Sequence, residues 1–492
     1  MTDHLDGQTA KPASNVFGHV SQDQLKKIAL ERTSSADPRG PLQVPSVPAG
    51  YTYFGQLLAH DLSVRLAGVR SQHGREGFFT LRGSSAALEL ETLYGQGVPQ
   101  EGLFIRHPQT QTLCKFDVDA DDIARTPVQD GPLVPVLADP RNDDNWVLAQ
   151  LTFLFMTMHN KIVDAFVRVG GMSDDLLLPN ARHVMVAIFR QVIFVDYLKR
   201  LLDPPIYTML MDTQSVPLSQ SLPPPLKPHV ANITQSNWWI ELPLVCGRIG
   251  HAMVRGAYTL NEKLDEPALL LTLMRDQTDD ASMPWPPDLQ PRKVNWRFFF
   301  EVDPKNPPQA ARPITPFIYH TLAKRKVGRG GDSLSDADLT LSCTYPSGQD
   351  CARHLNQLLT EWGFADLAFE VLEGQRMRPA AYQPERFRQI IRWLDRVVEE
   401  DAQFCRITPL GYYLLQEAAV HGDGAKLGRL GSFILAHGLH DLRIDPKVMR
   451  DLAFMERQSL VTLADFIRLF DQEQPDHDIL RLASSLKHIT WH

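Results

Sequence analysis

Apolar residues that return every three or four positions, with little two-residue alternation, restrict this chain to helical architectures. Val184, Ile188, Val192, Val195 and Leu198 fall on one face of a helix predicted through 181–202. Phe387, Ile390, Ile391, Leu394, Val397 and Val398 do the same through 385–400, with Arg388, Arg392, Asp395 and Glu399 opposite. Residues 145–167 and 459–471 carry the same period. Pro-rich breaks at 217–228, 284–292 and 303–313 punctuate the pattern without dividing it, and no internal repeat is apparent. The prediction is a mainly α protein: a polar, extended arm over 1–40, one large helical domain over 41–478, and a tail over 479–492.

Composition excludes several classes. The net charge is −8 and no basic run occurs, so neither nucleic acid nor an anionic membrane is an electrostatic partner. Hydrophobic residues at 43% and charged residues at 22% are ordinary for a globular chain. The five cysteines, Cys114, Cys246, Cys343, Cys351 and Cys405, form no C-x-x-C, which argues against a zinc site or a disulfide scaffold. The apolar run from Trp146 to Met158 is too short to span a bilayer, and the polar N-terminus lacks a signal-peptide pattern. A cytoplasmic location with reduced thiols is expected.

Three histidine segments remain. One is FGQLLAHD, Phe54 to Asp61; the second is DPRNDDN, Asp139 to Asn145, running into a helix with His159-Asn160. The third is Arg248-Ile249-Gly250-His251, followed by Arg255 and Tyr258 to Asn261. Each alone has a bland reading. A lone His on an apolar helix is more often a hydrogen-bonded core residue than a ligand. Asp-Pro-Arg-Asn makes a good turn into a helix, and Gly250 could let two helices approach.

The order and spacing of the three resemble the animal-type haem peroxidases of the peroxidase–cyclooxygenase superfamily, especially bacterial members. Ala87 to Gly95, Tyr345 to Asp350, Glu417 to Ile434 and Leu460 to Ile467 resemble further family segments, so the likeness runs over roughly 40–475. It implies haem b, with His251 as the proximal iron ligand and His60 as the distal acid–base group. It implies Arg141 as the distal cation, Gln56 as a distal amide, and Arg248 beside a haem propionate. Asp61 and Glu89, with Glu91 or Ser85 nearby, match calcium-ligand positions, in a loop altered at Ser85 and Ala87. The implied reaction uses hydrogen peroxide to oxidise a small organic substrate or halide through a ferryl intermediate.

Departures from the family pattern carry expectations of their own. The two positions that esterify haem in animal enzymes hold Ala59 and Asp144, so the haem is expected to be non-covalent. Counting back from Pro346 puts Asp336 where the family has an Asn that holds the proximal histidine. An Asp there would accept the imidazole N–H more strongly; the other reading is a diverged loop in which Asp336 caps a helix. Two rival functions stand beside peroxidase. A fatty-acid dioxygenase of the same superfamily would carry a Tyr three residues before the proximal His, where this chain has Arg248. A degenerate haem-binding homologue would not keep His60, Arg141, His251 and Arg248 together.

Overall fold

The structure is a computed structural model that describes residues 33–34, 47–65, 79–81, 88–95, 102–127, 133–215, 218, 249–264, 266–274, 293–325, 334, 346–377, 406–471 and 477–486. Among these, the helices of eight or more residues are α1 Gly50–Leu62, α2 Trp146–Val169, α3 Leu177–Gln191, α4 Pro204–Met211 and α5 Gly348–Glu361. They continue with α6 Leu410–Gly422, α7 Arg429–Arg443, α8 Pro446–Arg457, α9 Leu463–Phe470 and α10 His477–Leu486. Strand is confined to short two-stranded ribbons. They pair β1 Thr33–Ser34 with β10 Ile318–Tyr319, β2 Ser63–Arg65 with β3 Phe79–Leu81, and β4 Phe104–Arg106 with β5 Leu113–Phe116. The others pair β6 Arg125–Pro127 with β7 Leu133–Pro135, and β8 Ala257–Tyr258 with β9 Ala268–Leu269. The fold is mainly α, as expected. Thr33 and Ser34, placed in the arm by sequence, run parallel to Ile318 and Tyr319. The helix predicted through 385–400 lies outside the described residues.

α2 is apolar around most of its circumference and is buried accordingly, from Trp146 through Phe166. α1, α3, α10 and β5 all pack on it. Its start is set by Asn145, whose side chain accepts from the Leu148 N–H at 2.9 Å. No helix among the described residues is long and apolar enough to cross a membrane. α9 begins later than the periodicity predicted because Thr462 and Asp465 form a reciprocal capping box. α3 starts earlier than predicted and passes into a π-helical turn, Val192–Tyr197, before one last α turn, Leu198–Leu201.

That π turn holds α1 in place. Asp196, buried on it, accepts from the Tyr51 hydroxyl, from Arg200 Nε at 2.7 Å and from the Leu463 N–H at 2.9 Å. Phe54 packs on Phe189 and Tyr197 with ring centroids at 5.7 and 5.5 Å. Gly55 is needed for this approach, because a Cβ there would sit 2.3 Å from the Tyr197 hydroxyl oxygen. Gly55→Ala should therefore lower stability by about 1–3 kcal/mol through overpacking. A melting temperature equal to that of the parent would contradict this contact.

Candidate active site

His60 lies in the last turn of α1 and is buried. Its Nδ1 is 2.8 Å from Asn142 Oδ1. The Asn142 amide is itself oriented, because its Nδ2 donates to Thr92 Oγ1 at 3.1 Å and to Thr92 O at 3.3 Å. Asn142 therefore presents a carbonyl to the ring, Nδ1 carries the proton, and Nε2 keeps its lone pair. Among the described residues Nε2 has no hydrogen-bond partner. Burial, reinforced by the charge of Arg141, pushes the imidazole pKa down to about 4 against the opposing pull of Asp139 and Asn142. At neutral pH His60 is an uncharged base.

Five residues of the DPRNDDN turn have separate tasks, Asn142 among them. Asp139 caps the 3-10 turn Pro140–Asp143 by accepting from the Arg141 N–H at 3.1 Å. Its carboxylate also takes Arg141 Nε at 2.9 and 3.0 Å. Burial opposes ionisation of Asp139, but the guanidinium outweighs it and holds the carboxyl below its ordinary value. Arg141 Nη2 donates to the His60 carbonyl at 3.0 Å, which ties the cation to the histidine's own helix. Asp143 takes both terminal nitrogens of Arg125 at 2.9 and 3.0 Å. Asn145 Nδ2 donates to Gln56 Oε1 at 3.1 Å, so the Gln56 NH2 is the end left to donate. Burial raises the Asp144 carboxyl to about 6 against the pull of Arg325 and Arg141.

His251 sits half-buried on the helical turn Gly250–Met253, which packs against α1. The two histidines are thus carried by adjacent elements. A Cβ at Gly250 would meet no described protein atom within 4 Å, so close helix approach does not account for this glycine. Arg248, Asp336, Ser85 and Ala87 lie outside the described residues. Asp61 and Glu89, the expected calcium ligands, have protein partners. Asp61 Oδ1 accepts from the Thr92 N–H at 3.0 Å, while Glu89 lies 3.9 Å from Arg182. No cluster of three or more His, Cys, Asp or Glu able to hold a metal occurs among the described residues. Asp61 sets Thr92, which sets Asn142, which sets His60.

The remaining motifs are structural. His159 is buried, bonded by Nδ1 to the Tyr94 hydroxyl and by Nε2 to the Cys114 carbonyl, both at 2.9 Å. Asn160 pairs with both backbone groups of Phe116, at 2.7 and 3.0 Å. Together they staple β5 to α2. Ser347 caps α5, and Gln349 Oε1 accepts from the Thr408 N–H at 2.9 Å. Glu417 accepts from the Leu430 and Gly431 N–H groups at the start of α7, at 2.9 and 3.1 Å.

Two residues central to this site were not singled out by sequence reasoning, Asp139 and Asn142. Their signal lay in the same motif, where it was read as a turn into a helix.

Comparison with known proteins bears on the same segments. A family model described as animal haem peroxidase matches residues 98–278, a stretch holding the DPRNDDN turn, α2, α3 and His251. Peroxidase A from Dictyostelium discoideum superposes with a TM-score of 0.55 at 12% identity, over 96% of this chain and 90% of its own. The fatty acid alpha-dioxygenase of Oryza sativa gives a TM-score of 0.52 at 13% identity, over 95% of this chain and 77% of its own. That of Arabidopsis thaliana gives 0.54 at 12%, over 95% and 74%. At such identities the likeness to solved structures is one of fold. No curated protein matches the sequence.

Proposed function

We propose that the chain is a haem peroxidase, a reading supported by the family-model match over residues 98–278, and that it binds haem b between His251 and His60 and uses hydrogen peroxide to oxidise a small organic reductant or a halide. The observation that carries this reading is the tautomer imposed on His60: Asn142 occupies Nδ1 and leaves a neutral Nε2 as a proton acceptor. The residues fit the group. Two histidines stand on adjacent elements, and His60 keeps a ring nitrogen with no partner among the described residues.

Bound there, the haem would supply the redox chemistry of its iron. His60 Nε2 takes a proton from one oxygen of the peroxide and delivers it to the other, so that water can leave. Arg141, fixed beside it by Asp139 and the His60 carbonyl, supplies a permanent positive charge where negative charge develops on oxygen. The Gln56 NH2 orients the incoming molecule. The residue three places before His251 is Arg248 and not Tyr, which favours peroxidase over the dioxygenase reading.

The test is to supply haem and record the absorption spectrum. A Soret band and peroxide-dependent oxidation of a phenol are expected. Oxygen uptake with a fatty acid in place of that oxidation would establish the dioxygenase, and a Soret band with no response to peroxide the degenerate haem-binding homologue.

Attachment is part of the same proposal. Ala59 offers no carboxylate, and Asp144 is one methylene shorter than the family's Glu. Acid–organic extraction should release intact, unmodified haem. Haem left on a peptide containing Asp144 would reverse this expectation.

A further inference from the structure

Buried guanidinium groups in this fold usually sit on carboxylates: Arg125 on Asp143, Arg141 on Asp139, Arg190 on Asp451. Arg255 and Arg312 break that pattern. Arg255 Nη1 donates to the Ala310 carbonyl at 2.7 Å and its Nε to the Ala257 carbonyl at 3.3 Å, both neutral acceptors. Arg312 Nη1 is buried with no hydrogen-bond partner among the described residues. Burial lowers the pKa of both, and Arg312, at about 10, remains charged at neutral pH. Each also feels the Tyr258 hydroxyl, and the charge of Arg255 adds to the cost of keeping Arg312 charged. Two largely desolvated like charges with no carboxylate partner among the described residues are an expensive arrangement unless an anion joins them.

Their place in the fold narrows the anion. The Arg312 N–H donates to the carbonyl of Met253, two residues beyond His251, at 3.0 Å. The same segment is laced to the start of α1, through the Ala49 N–H to the Gln309 carbonyl at 2.9 Å and the Ala311 N–H to the Val47 carbonyl at 2.8 Å. The pair therefore lies at the junction of the two elements that carry His60 and His251. Tyr319 forms a wall over Gly256, where a Cβ would fall 2.2 Å from the ring.

We propose that Arg255 and Arg312 form an anion site beside the His251 turn that takes a carboxylate. A haem propionate and the carboxylate of an organic substrate are the two sources of that chemistry. The propionate source rests on the haem reading above; the other does not.

Arg312→Gln is the informative variant, since no side-chain hydrogen bond among the described residues is lost with it. Its apoprotein should melt no lower than the parent, because an unpaired charge has been removed. Parent protein should bind haem about tenfold or more tightly than haem dimethyl ester, whose propionates are masked, as expected for one charge-assisted pair. In Arg312→Gln that ratio should collapse towards one, which assigns the site to the propionate. If the ratio is near one in both proteins but octanoate binding to the haem-loaded form drops about tenfold in the variant, the carboxylate is a substrate's. Unchanged haem preference together with unchanged octanoate binding overturns the site while leaving the haem reading standing. Failure of the parent to bind haem fails the haem reading alone, and octanoate binding to parent and variant apoprotein then decides this site.

Discussion

Replacing His60 by alanine in the haem-loaded protein is expected to slow its reaction with peroxide by about 10²–10⁴-fold, the usual worth of a positioned acid–base group. Haem binding and the ferric spectrum should change little, since the imidazole moves a proton and does not hold the iron. The active form is the neutral ring. Its pKa of about 4 means the rate is flat through neutrality and falls only as pH drops through that value and Nε2 becomes protonated. Asn142→Asp sharpens the test. A carboxylate against Nδ1 favours the imidazolium, so the folded pKa rises and the acid limb moves to higher pH. A stopped-flow rate that is unchanged in His60→Ala, or an acid limb that stays in place in Asn142→Asp, would remove His60 from this role.

His251→Ala should act on the other side of the cofactor and leave a different signature. Loss of an outer partner of a metal ligand costs roughly 10–100-fold in affinity, and loss of the ligand itself should cost more. The variant should lose haem on gel filtration or show a displaced Soret band, with partial recovery when free imidazole is added. His60→Ala keeps haem and loses rate, whereas His251→Ala loses haem first. A normal five-coordinate histidine spectrum in His251→Ala would mean that another residue ligates the iron.

Much of the proposed site was legible because its chemistry is tied to residue type. A proton acceptor, a permanent cation and an amide can be recognised as His60, Arg141 and Gln56 once their order is seen. The orienting contacts were not legible for a physical reason. Asn142 reaches His60 across 82 positions, and only tertiary packing decides that its carbonyl faces Nδ1. The Asp61 contact was equally hidden, since only packing brings the Thr92 N–H to its carboxylate. His159 had the same apolar helical surroundings as His60, yet both of its ring nitrogens are spent on Tyr94 and Cys114. Periodicity located the helices well where one face is buried. It misplaced the start of α9, where the Thr462 cap overrides the pattern, and could not foresee the π turn inside the predicted 181–202 helix.

The carboxylate of Asp196 also imposes an order on synthesis. It joins Tyr51, in the first turn of α1, to the backbone of Leu463 in the first turn of α9. A nascent chain can make α1, α2 and α3 long before residue 463 has left the ribosome, but until then Asp196 lacks one of its three donors. The helix that carries His60 is therefore fastened in part by a segment synthesised long after it. A chain that stopped before Leu463 would carry His60 on an α1 lacking that fastening.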